Sequence, residues 1–152
     1  MENAKLDHGI PANRYNPHCW ITGQPEIGEG TWIGAFTLLD GQGGLKIGQG
    51  CDISCGAQIL THSTVRRCLS EHRHNRIDLK STVVEDHVFI GTSAVILMGC
   101  HVGHHSVIAA GAVLLEDTRV PPYSLVAGVP ARVVRDLQAD VQQWAMDAGS
   151  EP

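Results

Sequence analysis

The sequence predicts an all-β chain wound as a parallel β-helix of about five triangular coils, and three regularities predict it. From Val84 onward every sixth residue is aliphatic: Val84, Ile90, Ile96, Val102, Ile108, Leu114, Val120 and Val126. With 37 Ile, Leu and Val among 152 residues, chance produces such a run roughly once in 10⁵ per register. The same beat passes through Ile21, Ile27, Ile33 and Leu39, slips by two residues across 43–46, and resumes at Ile47, Ile53 and Ile59. Second, the residue four places after each aliphatic is usually small, as at Thr31, Thr37, Cys51, Ala57, Ser63, Ala94, Cys100, Ser106, Ala112, Thr118 and Ser124. Third, glycine often follows the aliphatic directly, as at Gly28, Gly34, Gly48, Gly91 and Gly103.

A helix repeats every 3.6 residues and a flat strand every 2, so neither alone explains a strict six. A β-helix does: each hexad is one short strand and a turn, and three hexads close a coil. The aliphatic side chain fills a narrow prism, which leaves room only for a small residue later in the hexad. Residues 18 apart then stack about 4.8 Å apart, so Ile90, Ile108 and Val126 form one internal ladder. The competing architecture is a β-sandwich with fortuitous spacing.

In chain order, residues 1–20 read as an irregular lead-in containing Pro11, Pro17 and Trp20. Residues 21–63 are the first coils. Residues 64–82 break the beat with Arg66, Arg67, Glu71, His72, Arg73, His74, Arg76, Asp78 and Lys80. Those charges would be unpaired inside the prism, so the stretch must loop out, and a polar loop on a rigid stack suits recognition. Coils return from 83 to about 131. Residues 132–149 then read as a C-terminal α-helix, with Leu137, Val141, Trp144 and Ala148 on one side and Gly149 to end it. Such a helix is expected to cap part of the open end of the stack.

The chain reads as a single domain, 1–152. A net charge of −5 without a basic block does not indicate nucleic-acid binding. The absence of any 18-residue apolar run predicts no membrane span. Residues 1–10, with Glu2, Lys5, Asp7 and His8, lack the make-up of a secretory leader. The five cysteines form no zinc-type pair, and Cys51 and Cys100 fall at the small-residue position, which suggests packing. A cytoplasmic location follows as an expectation.

Hexads of this form resemble the hexapeptide-repeat acyltransferases. Residues 108–135, IAAGAVLLEDTRVPPYSLVAGVPARVVR, are similar to the segment with which sugar and xenobiotic acetyltransferases of that superfamily end their coils and bind coenzyme A. Residues 83–97, VVEDHVFIGTSAVIL, resemble the segment just upstream. The resemblance implies a left-handed β-helix, a homotrimer with active sites between subunits, and acetyl-CoA as co-substrate. It implies transfer of an acetyl group to a hydroxyl or amino group of a sugar, or of a nucleotide- or lipid-linked sugar, in surface polysaccharide or lipopolysaccharide biosynthesis. The chain lacks the His-Pro-x-Asp loop start and the N-terminal helical segment of the maltose and nodulation-factor type. It therefore looks more like the compact acetyltransferases of polysaccharide gene clusters.

Acyl transfer from a thioester needs a base, donors for the oxyanion and a held thioester arm. In the family the base is a histidine at the end of a coil where the loop begins. That position here is His62, and the ordinary imidazole pKa of about 6.5 suits a base at neutral pH. His72 and His74 are rival bases or acceptor contacts within the loop, and Asp40, near the break in the beat, is a further acceptor contact. Thr92, Ala110 and Gly128 are 18 apart, so they share one face; the first two match family positions whose backbone meets the pantetheine arm. Arg132 and Arg135 match basic residues near the coenzyme's phosphates. Leu115 and Glu116 stand where relatives often have a Thr-Lys pair, which puts that phosphate contact in doubt. No metal is assigned. A γ-type carbonic anhydrase is the first alternative, because His87 and His105 are 18 apart, though its histidine pair five residues apart is missing. A non-catalytic scaffold is the other.

Overall fold

The computed structural model describes residues 9–149; residues 1–8 of the expected lead-in lie outside the described residues. The first coil comprises β1 (Trp20–Thr22), β2 (Glu26–Ile27) and β3 (Trp32–Ile33). The second comprises β4 (Leu38–Asp40), β5 (Leu45–Ile47) and β6 (Asp52–Ile53). The third opens with β7 (Gln58–Ile59) and leaves the stack through β8 (His62–Ser63), α1 (Val65–Leu69) and β9 (Asp78–Leu79). It resumes with β10 (Thr82–Val84) and β11 (Phe89–Ile90). The fourth is β12 (Val95–Ile96), β13 (His101–Val102) and β14 (Val107–Ile108), and the fifth β15 (Val113–Leu114), β16 (Arg119–Val120) and β17 (Ser124–Gly128). After them come β18 (Ala131–Asp136) and α2 (Gln138–Asp147). Strands of successive coils pair in parallel on three faces: face 1 is β1-β4-β7-β12-β15, face 2 is β2-β5-β10-β13-β16, and face 3 is β3-β6-β11-β14-β17. The coils form a left-handed parallel β-helix, as the sequence resemblance implied.

The inward aliphatics do what the beat requires. Ile33, Ile53, Ile90, Ile108 and Val126 stack along face 3 and are all nearly or fully buried. Leu39, Ile59, Ile96 and Leu114 stack likewise along face 1, and Ile47, Val84, Val102 and Val120 along face 2. Most of the small residues later in the hexad are buried too, with Thr31 and Thr118 half-buried, and several satisfy turn carbonyls. Thr31 Oγ1 donates to the Gly48 carbonyl at 2.8 Å, and Cys51 Sγ lies 3.2 Å from the Glu85 carbonyl. Ser63, also half-buried, belongs to the excursion and not to a corner.

The glycine after the aliphatic has a steric cause. A Cβ on Gly91 would strike the backbone of Ala109 and Ala110 one coil later, and one on Gly103 would strike Pro121 and Pro122. A further corner rule escaped the sequence reading. From Ile27 onward, at every corner of ordinary length, the third residue after the aliphatic has positive φ. Glycine fills five of these positions, and Phe36, His87, Ser93, His105, Asp117 and Tyr123 fill the rest at about 1–2 kcal/mol of backbone cost each.

The C-terminal segment differs from the helix expected over 132–149. Residues 131–136 form β18, which folds back antiparallel on β17 and pairs Ala127 with Arg132 and Leu125 with Arg135. The cause is the open edge of face 3, whose backbone groups need partners. The helix begins only at Gln138 and has no buried residue within it. Of the side chains expected to dock, Leu137 is buried while Trp144 is 58% exposed.

The alternation of inward and outward residues predicts unequal truncations. Ile59→Ala should cost about 3 kcal/mol in chemical denaturation, while the exposed neighbour Gln58→Ala should stay within about 0.5 kcal/mol. Equal losses would contradict the assigned register.

Candidate active site

Both interruptions of the beat fall on the same edge of the prism, the corner between faces 1 and 2. In the second coil this corner spans 40–44 and is two residues longer than usual, which is why Leu38 pairs with Gln58. In the third coil the excursion of 60–81 leaves from the same edge. The enlarged corner lies directly against the start of the excursion. Gly43 N donates to Thr61 Oγ1 at 2.8 Å, and a Cβ on Gly43 would strike the Thr61 carbonyl.

This juxtaposition brings Asp40 beneath His62. The sequence reading offered Asp40 as an acceptor contact; its side chain is 1% exposed and fully committed within the fold. Oδ2 lies 2.5 Å from His62 Nδ1 and accepts from Thr61 N at 2.9 Å. Thr61 Oγ1 reaches both Oδ2, at 3.0 Å, and the Asp40 carbonyl, at 2.8 Å. Oδ1 accepts from Gln42 N at 3.0 Å. Burial drives this carboxyl's pKa up, but the hydrogen bonds from His62, Thr61 and Gln42 together outweigh burial and hold it below the ordinary value. The His62 side chain is 33% exposed. A carboxylate at Nδ1 fixes the proton there and leaves Nε2 to accept one.

The excursion is braced rather than loose. β8 and β9 pair antiparallel, matching His62 with Leu79 and Ser63 with Asp78. Arg66 grips Asp78 with two nitrogens, Nε at 2.9 Å and Nη2. That hydrogen bonding holds the Asp78 carboxyl down to a pKa of about 2. Lys80 Nζ donates to Asp117 Oδ2 at 2.6 Å and lies 3.9 Å from Glu116, tying the loop to the fifth coil. Glu116 therefore faces a loop lysine across the corner between faces 1 and 2. A cleft of about 490 Å³ opens there between loop and coils, lined by Ser63, Arg66, Asp78, Lys80, Met98 and Glu116. Neither His72 nor His74 is joined to His62 or Asp40. His72 is exposed with φ 64°, and His74 Nε2 lies 3.4 Å from Asp78 Oδ1.

The expected coenzyme positions lie elsewhere, on the corner between faces 3 and 1. Thr92 and Ala110 occupy successive coils there and are exposed; Gly111 N donates to the Thr92 carbonyl at 2.9 Å. Gly111 opens onto free space, so the backbone is approachable. Gly128, one coil further, has φ 97° and ends β17. Arg132 is exposed and bonds the Ala131 carbonyl at 2.9 Å, whereas Arg135 is held by Asp140 at 2.6 Å. Within one chain, His62 and this corner stand at opposite edges of face 1.

The third corner carries a histidine cluster that the sequence showed only in part. His87, His105 and Tyr123 follow one another at 18-residue spacing, with ring centroids 5.1 and 5.0 Å apart. His104 Nδ1 lies 3.0 Å from His105 Nδ1, and His101 Nε2 lies 2.7 Å from Glu85 Oε1. Burial, then the charges of His87 and His104, push the His105 pKa down. Among the described residues no three His, Cys, Asp or Glu side chains converge as metal ligands.

The family model for the bacterial transferase hexapeptide, six repeats, matches residues 81–116. Over 55 residues the chain is 58% identical to a 2,3,4,5-tetrahydropyridine-2,6-dicarboxylate N-acetyltransferase from Brevibacillus brevis, a match covering 36% of this chain and 22% of that protein. The chain thus spans about a fifth of the length of that curated relative. A solved hexapeptide-repeat-containing acetyltransferase from Vibrio cholerae is 34% identical over 82% of this chain and 70% of its own, with a TM-score of 0.69. An acetyltransferase of the same description from Vibrio cholerae O1 biovar eltor, solved with acetyl coenzyme A, is 35% identical over 80% of this chain and 64% of its own, with a TM-score of 0.67. The N-acyltransferase AntD from Bacillus cereus, solved with dTDP and 3-hydroxybutyryl-CoA, is 17% identical with a TM-score of 0.69, covering 88% and 76%, and shares the fold.

The depressed Asp40 pKa sets the sign of one pH effect. Its folded value lies below the unfolded value of about 3.9. Its share of stability is therefore fully present above that pH and is lost as pH falls through the folded value. Asp40→Asn should flatten the fall of melting temperature below about pH 4; an unchanged acid limb would contradict the bonding described.

Proposed function

This chain belongs to the hexapeptide-repeat-containing acetyltransferases, and from that membership we propose that it transfers the acetyl group of acetyl-CoA directly to a hydroxyl or amino group. The observation that carries the reading is the His62 Nδ1–Asp40 Oδ2 contact of 2.5 Å. His62 Nε2 takes the proton of the attacking group as that group adds to the thioester carbonyl. The imidazolium so formed is stabilised by Asp40. The carbon–sulfur bond then breaks, and His62 returns its proton to the coenzyme thiolate. Asp40 acts through His62 as a positioning residue and does not meet the acceptor.

Small exposed residues at Thr92, Ala110 and Gly128 let a pantetheine arm approach the backbone. Arg132 is the better placed partner for the coenzyme's phosphates, because Arg135 is engaged by Asp140. The acceptor enters beside the loop 64–82, with His72 as a contact, and is a sugar or a nucleotide- or lipid-linked sugar of a surface polysaccharide. The proposed compartment is the cytoplasm.

A homotrimer with sites between subunits fits two features. His62 and the coenzyme corner lie at opposite edges of face 1, so a complete site draws one from each of two chains. Two faces also carry outward apolar side chains: Trp20 at 39% exposure on face 1, and Trp32 at 55% and Phe89 at 44% on face 3. Face 2 instead presents Glu26, Lys46, His101 and Arg119. Light scattering should give about three times the monomer mass; a monomer active at nanomolar concentration would contradict shared sites.

His62→Ala should lower turnover at least about 100-fold while calorimetry shows acetyl-CoA binding retained. Unchanged turnover would overturn the assignment.

A further inference from the structure

The excursion is a cationic island on an acidic chain. Residues 64–80 hold five Lys and Arg against two Asp and Glu, whereas the chain as a whole carries −5. Both loop carboxylates are already used: Asp78 by Arg66, and Glu71 by Arg73 at 2.7 Å. Lys80 is neutralised from outside the loop by Asp117. Arg67 and Arg76 are left with no anionic partner among the described residues.

Arg67 is the more telling of the two. Among the described residues, two buried side-chain polar atoms lack a well-formed hydrogen bond, and both belong to this loop: His74 Nε2, which still lies 3.4 Å from Asp78 Oδ1, and Arg67 Nε, which has no such neighbour. Buried polar groups are nearly always satisfied, so an orphan calls for a physical cause. A guanidinium is always charged and presents a fork of donors matched to carboxylate and phosphate oxygens. It sits five residues after His62, on α1, which puts the two Cα atoms within roughly 15 Å. That is the span of a small acceptor bearing an oxyanion at the end remote from its reacting group.

We propose that the acceptor is an anion, carrying a phosphate or carboxylate group, and that Arg67 binds that group and so sets specificity. The fold leaves the Arg67 guanidinium half-buried and unpaired because the ligand completes it. The bracing of the loop by Arg66–Asp78 and Lys80–Asp117 holds it ready, with neither brace spending Arg67. Remote binding of this kind orients the reacting group toward Nε2 of His62.

Calling the ligand an acceptor rests on the acyl-transfer reading; binding of the anion does not, so binding is measured first. The full chain is titrated calorimetrically with inorganic pyrophosphate and with malonate, at low and high salt. One of the two should bind, with affinity falling as salt rises. Arg67→Gln should weaken that binding by at least about tenfold, Arg67→Lys by less, and coenzyme A affinity should be unchanged in both. Preference for pyrophosphate assigns a phosphorylated acceptor, and preference for malonate a carboxylate. Then, with an acceptor carrying the preferred group, Arg67→Gln should raise KM while kcat is kept. The proposal is overturned if neither anion binds, if Arg67→Gln binds as the wild type does, or if that variant loses coenzyme A instead. Anion binding without thiol release from acetyl-CoA would leave it standing and overturn acetyl transfer. Equal acetylation of neutral sugars by wild type and Arg67→Gln would do the reverse.

Discussion

Everything at this site depends on one buried carboxylate lying under one histidine. A strict six-residue beat makes a uniform prism, and a uniform prism has no room at its corners for a buried acid. The two extra residues between Leu39 and Ile47 enlarge one corner, and the Asp40 carboxylate fills the space with five hydrogen bonds drawn from Thr61, Gln42, His62 and Thr22. Its low pKa is the sum of the bonds from His62, Thr61 and Gln42 against burial. The fold supplies the stiffness that keeps Asp40 and His62 in register: Asp40 ends β4, which is paired on both sides, and His62 opens β8, which is paired with β9 and follows Thr61, itself bonded to Asp40. This edge is thus made from departures from regularity, held in place by the regular part.

Much of this was legible in the chain. Spacing alone gave three faces, the inward ladders, the small residues behind them and the point where the loop leaves. The positive-φ corner position was equally periodic, yet it hid because chemically unlike residues, such as Phe36, Ser93 and Tyr123, share one backbone conformation. His62 was singled out by the family resemblance, which puts a histidine at the mouth of the excursion. Its partner was misread for a physical reason: the two extra residues after Asp40 enlarge its corner, and only the folded chain shows that its carboxylate then meets Thr61 and His62 of the next coil. The segment after Ala131 was misread because Val133, Val134 and Leu137 suit a helix face as well as a strand. The unpaired edge of β17 decided between them, and only the assembled stack shows that edge. Glu116 raised a conflict with phosphate only when placed on the coenzyme's side, whereas its corner holds Lys80.

The arrangement divides labour between edges of the prism. One edge carries His62 and the loop, another carries the small exposed residues Thr92 and Ala110, and the third carries the ring stack of His87, His105 and Tyr123. Separation of the first two across face 1 means that a single chain holds both halves without joining them. In the proposed trimer, assembly completes the chemistry, and the apolar side chains on the outward surfaces of faces 1 and 3 are the contacts it would use.

The account turns on which nitrogen of His62 carries the proton. Long-range nitrogen–proton correlation spectra of the full chain at about pH 8 report this directly, with His62→Gln identifying the resonance. The account predicts the Nδ1–H tautomer for His62, with its proton shifted far downfield by Asp40. An Nε2–H tautomer would leave no base facing the acceptor and would contradict it.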